Sequence, residues 1–184
     1  MGGLRIIGGA WRSRRLKAPP GLATRPLTDR IRQSLFDCLG QRLDGLVVAD
    51  CFAGSGCFGF EALSRGAAQV YAIESGPPAI QCLRDNAQSL EAGERWQLLV
   101  QMLPQAADRL PPCDIIFADP PFPWFQEQPE LLASVLQALI QRLSAEGCLL
   151  LRGEQGQAMP AIPGCRIDDE RGYGRSWVRW LYRD

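Results

Sequence analysis

The sequence predicts an α/β fold: a seven-stranded, mostly parallel sheet wound with helices on both faces and closed by an antiparallel hairpin. Three observations predict it. From Leu46 onward, short β-rich apolar runs alternate with helical patterns. The segment from Val47 to Gly59 reads as a buried strand entering a glycine-rich turn that opens a helix, the usual first crossover of such a sheet. The tail then changes period, because Arg166-Ile167-Asp168 and Trp177-Val178-Arg179-Trp180-Leu181-Tyr182 alternate on either side of Gly172-Tyr173-Gly174, as hairpin strands do.

Taken in chain order, residues 4–20 read as a short β-ribbon turning at Gly8-Gly9 and broken by Pro19-Pro20-Gly21. A helix is predicted from Asp29 to Leu43, capped by Thr28, with Ile31, Leu35, Leu39 and Leu43 on its buried stripe and Arg30, Arg32 and Arg42 off it. Strands follow near 46–50, 69–73, 97–101, 114–118 and 147–151. Helices are expected near 57–65, 77–89 and 128–143, the second opened by Pro77-Pro78, where proline is tolerated in a first turn. At 184 residues, 46% of them hydrophobic and 22% charged, the chain is expected to be one domain with one core. Residues 1–44 would form a basic N-terminal extension and 45–184 the sheet.

Composition narrows the chemistry. No apolar run approaches the ~18 to 20 residues that span a membrane, and the first residues lack a signal-peptide layout, so a cytoplasmic protein is expected. The seven cysteines include no Cys-x-x-Cys pair and no histidine accompanies them, which argues against both a disulfide framework and a metal site. The missing histidine also excludes Ser-His-Asp and Cys-His nucleophilic catalysis. What remains is chemistry run by carboxylates, backbone groups or a bound cofactor. The net charge is zero, yet residues 1–43 hold nine Lys/Arg against two acids, a local balance of +7 that residues 44–184 must offset with −7. Eight of the nine are arginine, which pairs bidentately with phosphate and stacks on bases. A nucleic-acid footprint and a plain solvated surface both fit this segment.

Gly54-Ser55-Gly56-Cys57-Phe58-Gly59 fits a nucleotide-binding turn: Gly54 and Gly56 admit close backbone approach, and Gly59 admits tight helix-sheet packing. Glu74, twenty residues after Gly54, stands where an acid would hold ribose hydroxyls. A dinucleotide and S-adenosylmethionine both satisfy the bare pattern. Asp50 favours the second, since a carboxylate at the strand end suits a cationic methionyl group and repels a pyrophosphate. The bulky Cys51-Phe52-Ala53 also delays the glycines past the strand end, which loosens a phosphate cradle.

Asp119-Pro120-Pro121-Phe122 follows the apolar run Asp114 to Ala118, at the carboxyl end where open α/β sheets bind ligands. Two prolines remove two donors and fix φ, leaving rigid carbonyl acceptors beside one carboxylate. That set suits an exocyclic base amine. Asp119 and the Pro120 carbonyl would draw the amine hydrogens out of conjugation and aim its lone pair at a methyl donor, while Phe122 stacks on a flipped-out base. Guanine is favoured, because its ring N1-H and 2-amino group are adjacent donors whereas adenine N1 is an acceptor.

Together these residues resemble the bacterial 16S ribosomal RNA guanine-N2 methyltransferase family known as RsmD. The resemblance runs through Arg5-Ile6-Ile7-Gly8-Gly9 with Trp11-Arg12, Thr24-Arg25-Pro26-Leu27-Thr28-Asp29-Arg30-Ile31-Arg32, Asp50 to Gly56, Glu61 to Ala67, and Asp119 to Phe122. It implies a Rossmann-like class I methyltransferase fold, S-adenosylmethionine as cofactor, and methylation of guanine 966 of 16S RNA on a partly assembled small subunit by a monomer without metal. Cofactor contacts are then expected at Asp50, Phe52, Gly54, Ser55, Gly56, Gly59, Glu74, Gln101 and Met102, and RNA contacts at Arg5, Arg12, Arg14, Arg15, Thr24, Arg25, Pro26, Arg30 and Trp124. Gln101-Met102 replaces the family's small polar pair, and Gln33 its usual Glu. The loop Pro123-Trp124-Phe125-Gln126 is rich in aromatics and reads as a lid or a stacking surface. Adenine-N6 methylation of DNA or RNA, and a non-catalytic RNA-binding module, remain open on the residues alone.

Overall fold

The computed structural model describes residues 4–20 and 28–184. Its strands are β1 (Val47–Cys51), β2 (Gln69–Glu74), β3 (Trp96–Val100), β4 (Cys113–Ala118), β5 (Leu143–Glu154), β6 (Cys165–Tyr173) and β7 (Ser176–Arg183). They form one sheet in the order β3-β2-β1-β4-β5-β7-β6, parallel from β1 to β5 and antiparallel where β7 joins β5 and β6. This is the predicted seven-stranded topology. The strand order reverses between β1 and β4, whose register aligns Cys51 with Ala118. Their carboxyl ends therefore open side by side at the crevice where such sheets take ligands.

The single expected core is divided by the sheet into two apolar layers. One lies under α1 (Asp29–Cys38), α2 (Cys57–Ser64) and α3 (Pro77–Leu90) and contains Phe36, Phe58, Leu83 and Phe117. The other lies under α5 (Pro129–Ile140), which buries Leu132, Val135, Leu136, Leu139 and Ile140 at the three- and four-residue spacing of an amphipathic helix. α5 stops before the predicted 143 because Leu143 already pairs with Cys113; the register then shifts before Cys148 meets Ile115. Gly147 sits at that irregularity, where a Cβ would come within 2.6 Å of the Cys113 carbonyl. The expected loop at Pro123 instead contains a helical turn, α4 (Trp124–Glu127).

α1 is capped as predicted, the Thr28 hydroxyl accepting from the Ile31 N–H. It ends at Cys38 and not Leu43, because Gly40 and Gln41 turn the chain at φ +88° and +67°. Leu43 is buried outside the helix, its N–H donating to the Arg65 carbonyl at 2.9 Å. The placing of Arg32 off the buried side is incorrect: it is fully buried, four residues from Phe36 on the face that the N-terminal arm covers. Its Nη2 donates to the Arg5 carbonyl and to Asp29, each at 2.7 Å. The arm is a looser ribbon than expected, with one β-bridge, Arg5 to Arg15, and a turn containing Gly9 and Ser13 at positive φ.

Glu61 of α2 anchors this arm. Its buried carboxylate accepts from the Ile7 and Gly8 N–H groups at 2.8 and 2.7 Å and from Arg65 Nε at 2.8 Å, with Arg32 Nη1 at 4.0 Å. From the same anchor a column of stacked groups crosses the layer. The Arg65 guanidinium lies over Phe36, Phe36 stacks on Phe58 at 4.9 Å, and Phe58 stacks on Phe117 of β4 at 4.3 Å.

Candidate active site

The glycine loop leaves β1 and returns as α2. Its turn is built from Phe52, Gly54 and Gly56, all at positive φ, a conformation that strains any side chain and that two glycines relieve. A Cβ on Gly56 would come within 2.6 Å of Phe60 and 2.7 Å of Leu83, so the helix packs against its own entry. Gly59 performs the predicted packing role: a Cβ there would meet Trp96 at 2.9 Å and Val70 at 3.0 Å. Asp50 lies beneath this turn, 2% exposed, and accepts the Gly59 N–H at 2.9 Å. Burial pushes its carboxyl up to about 8; the Gly59 N–H opposes that rise, and the charges of Asp119 and Glu74 add to it.

Glu74, at the end of β2, spans the crevice floor. One oxygen accepts the Gly54 N–H at 3.0 Å, and the other accepts those of Ser75 and Gly76, each at 2.8 Å. Gln101 and Met102 follow β3 on the same edge of the sheet, Gln101 half-buried and Met102 60% exposed. Phe52 meets Trp124 of α4 edge-on at 5.5 Å. Phe52, Gly54, Glu74, Gln101 and Met102 thus lie at the carboxyl ends of β1 to β3, with Trp124 beside Phe52, whereas the expected cofactor residues Asp50 and Gly59 are buried beneath the turn and bonded to each other.

Asp119 begins the tetrapeptide directly after β4, its N–H 3.4 Å from the Cys51 carbonyl at the end of β1. The Pro121 carbonyl accepts from Trp124 N–H, and the Phe122 carbonyl from Phe125 N–H and Gln157 Nε2. Among the described residues the Pro120 carbonyl accepts nothing, which leaves an unpaired acceptor in a buried residue beside Asp119. The Asp119 side chain keeps a quarter of its surface exposed and binds Arg152 Nη1 through Oδ2 at 2.8 Å. Burial raises its carboxyl above the ordinary value, and the Arg152 charge and hydrogen bond oppose the rise.

Arg152, Gln157 and Asn86 carry no motif in the sequence. Arg152 is an isolated arginine within the apolar run of β5, and its guanidinium lies 5.1 Å from the Phe122 ring centroid. One face of Phe122 is therefore covered by a cation. Asn86 of α3, 2% exposed, clamps the Lys17 backbone through both amide atoms and donates to the Ser55 carbonyl at 3.0 Å. It joins the N-terminal arm to the glycine loop.

The arginines expected on RNA divide into two groups. Arg12, Arg15 and Arg30 are exposed and carry no ion pair among the described residues; Arg5 pairs with Asp29, and Arg14 donates to the Ser89 carbonyl. None of them touches Asp119 to Phe122 among the described residues. Thr24, Arg25 and Pro26 lie outside the described residues. Among the described residues no group of three or more His, Cys, Asp or Glu stands together to hold a metal ion, and no helix is long and apolar enough to cross a membrane.

Known proteins similar to this chain cover most of its length. The chain is 36% identical over 164 residues to the Ribosomal RNA small subunit methyltransferase D of Escherichia coli strain K12, covering 88% of this chain and 80% of the relative. It is 33% identical over 165 residues to the Putative rRNA methyltransferase YlbH of Bacillus subtilis, covering 88% of each. Among solved structures, a putative methyltransferase yhhF from Escherichia coli superposes with a TM-score of 0.82 at 34% identity, over 100% of this chain and 99% of that one. A putative methylase from Haemophilus influenzae gives 0.78 at 26% identity, over 99% of both chains. Residues 4–182 match the family described as Conserved hypothetical protein 95. The chain therefore belongs to that family, the one its motifs resemble under the name RsmD.

Proposed function

We propose that this chain transfers a methyl group from S-adenosylmethionine to the exocyclic N2 amine of a guanine in 16S ribosomal RNA, position 966 by family resemblance, in the cytoplasm and on a partly assembled small subunit. One observation carries the reading: Asp119 and the unpaired Pro120 carbonyl follow β4 beside the glycine loop of β1, in the register that aligns Ala118 with Cys51. The names of the Escherichia coli and Bacillus subtilis relatives support ribosomal RNA as substrate.

The crevice fits the cofactor. The positive-φ glycine turn leaves open space over Gly54, Glu74 closes the floor for ribose hydroxyls, and the exposed Met102 offers an apolar surface to the adenine. When bound, S-adenosylmethionine supplies an electrophilic sulfonium methyl. Asp119 Oδ1 and the Pro120 carbonyl would each accept one hydrogen bond from the target amine, turning its lone pair toward that methyl; the N–C bond would form as the methyl–sulfur bond breaks and the neutral thioether leaves, and the amine would then lose one proton to Asp119. As the amine becomes cationic, the Asp119 carboxylate stabilises it in a site where little water screens the charge. The free face of Phe122 holds the base by stacking, and Trp124 beside Phe52 extends the aromatic wall.

The direct test incubates the protein with methyl-labelled cofactor and small subunits from cells lacking this modification, then digests the RNA to nucleosides. Label in N2-methylguanosine is expected. Label in N6-methyladenosine would replace guanine by adenine, and RNA binding without label would leave a non-catalytic module.

The exposed arginines of the arm pair with RNA phosphates in this reading. Replacing Arg12, Arg14 and Arg15 with glutamine is expected to weaken RNA binding and flatten its dependence on salt, by about 0.7 to 0.9 in the logarithmic slope for each phosphate left unneutralised. Binding isotherms at several salt concentrations measure this, and an unchanged slope removes the arm from the interface.

A further inference from the structure

Arg152 is a buried cation in the wrong place for a purely structural residue. It interrupts the apolar run of β5, its side chain is 7% exposed, and its Nε has no partner among the described residues. Burying a guanidinium costs several kcal/mol unless geometry and partners offset it. Its partners are few, and they converge on the tetrapeptide. Nη1 donates to Asp119 Oδ2 at 2.8 Å, Nη2 donates to Ser176 Oγ of β7 at 3.3 Å, and the plane of the group lies beside Phe122. The next residue, Gly153, has no room for a Cβ, which would fall 2.2 Å from Trp177, so strand and guanidinium are held at fixed depth. Gln157 completes the clamp, donating to the Phe122 carbonyl at 2.7 Å while accepting the Glu154 N–H at 2.8 Å.

We propose that Arg152 is the positioning residue of this site: by pinning Asp119 Oδ2 it leaves Oδ1 as the one carboxylate oxygen presented to the amine, and it keeps that carboxylate an acceptor. The charged and titratable groups facing Asp119 are Asp50 from β1, Cys57 from α2 and Arg152 from β5, with Glu74 of β2 behind Asp50. Arg152 is the cation among them. Without it, burial drives Asp119 toward its protonated form, which donates a hydrogen bond where the amine needs an acceptor. The arginine has an opposing effect as well, because a positive charge near the reacting amine disfavours the cationic transition state. Its net benefit therefore lies on the acid side of the profile, where Asp119 would otherwise be protonated. Where Asp119 ionises unaided, the benefit disappears.

This inference rests on Asp119 as the amine acceptor of the proposed reaction, and the experiment separates the two. Single-turnover methylation is measured from pH 6 to pH 10 for the unaltered protein, Arg152→Gln, Arg152→Lys, Ser176→Ala and Asp119→Ala, with cofactor binding followed in parallel. Arg152→Gln is expected to lose activity about tenfold per pH unit below a displaced acid limb and to recover as pH rises. Arg152→Lys, which restores the cation, is expected to return the limb toward its original position. Ser176→Ala, which loosens the guanidinium without removing it, is expected to move the limb the same way by less; it stands in if Arg152→Gln fails to fold. Arg152→Gln with full activity, or with a loss constant across pH, overturns the positioning role. Full activity in Asp119→Ala instead overturns Asp119 as the amine acceptor, on which this inference rests.

Discussion

Asp119→Ala is expected to lower methyl transfer by about 10²- to 10³-fold, the usual cost of removing one preorganised group that stabilises developing charge. Cofactor binding should survive, because the glycine loop and Glu74 do not depend on Asp119 for any hydrogen bond. Asp119→Asn is expected to do little better than alanine. An amide retains one oxygen, but Arg152 Nη1 sits 2.8 Å from Oδ2 and takes that oxygen, which turns the amide NH2 toward the amine. Two donors then face each other. Single-turnover rates for both variants, measured beside their thermal melts and cofactor titrations, check this; an asparagine variant close to full activity would mean that Arg152 does not orient the side chain at position 119.

The largest effect on stability is expected at Glu61, far from the reacting atoms. Glu61→Ala removes the acceptor of two arm N–H groups and the counter-charge of Arg65 and Arg32, whose side chains are 3% and 0% exposed. Breaking a buried ion pair from one side leaves the other charge uncompensated and costs ~3–5 kcal/mol. Urea unfolding should therefore show a large drop in midpoint, and residues 4–20 should become sensitive to protease under native conditions. Glu61→Gln keeps one oxygen and should fall between the two. A midpoint unchanged in Glu61→Ala would mean that the arm is held by its apolar contacts alone, chiefly Ile6 and Leu16.

The parts of the site that are legible in the sequence are those encoded by neighbours in the chain. A glycine turn needs its residues within a few positions of one another, and so does a rigid Asp-Pro-Pro-Phe after an apolar strand. Period-2 and period-3.6 patterns likewise place β1 to β4, β7 and most helix bounds within a few residues, although β5 starts at Leu143 and β6 runs on to Tyr173, into the expected hairpin turn. What the sequence does not reveal depends on partners far along the chain. Arg152 looks like a stray charge until β4 and β5 are paired, which brings it beside Asp119. Asn86 looks like an ordinary helix residue until the arm crosses it. A four-residue stripe through Ile31 and Leu35 misplaces Arg32, because the buried face is wider and includes Phe36, the face onto which the arm folds. The early stop of α1 is signalled by Gly40, which a pattern of leucines outweighs.

The hydrogen bond from Arg152 to Ser176 has a consequence for how the protein is made. Ser176 opens the last strand, so during synthesis the glycine loop and the tetrapeptide exist well before the residue that steadies Arg152. Until β7 pairs with β5, that strand is a sheet edge and its arginine lacks its second acceptor. Arg152 and Asp119 thus emerge before the strand that supplies Ser176, and the guanidinium gains its second acceptor only when β7 takes its place beside β5.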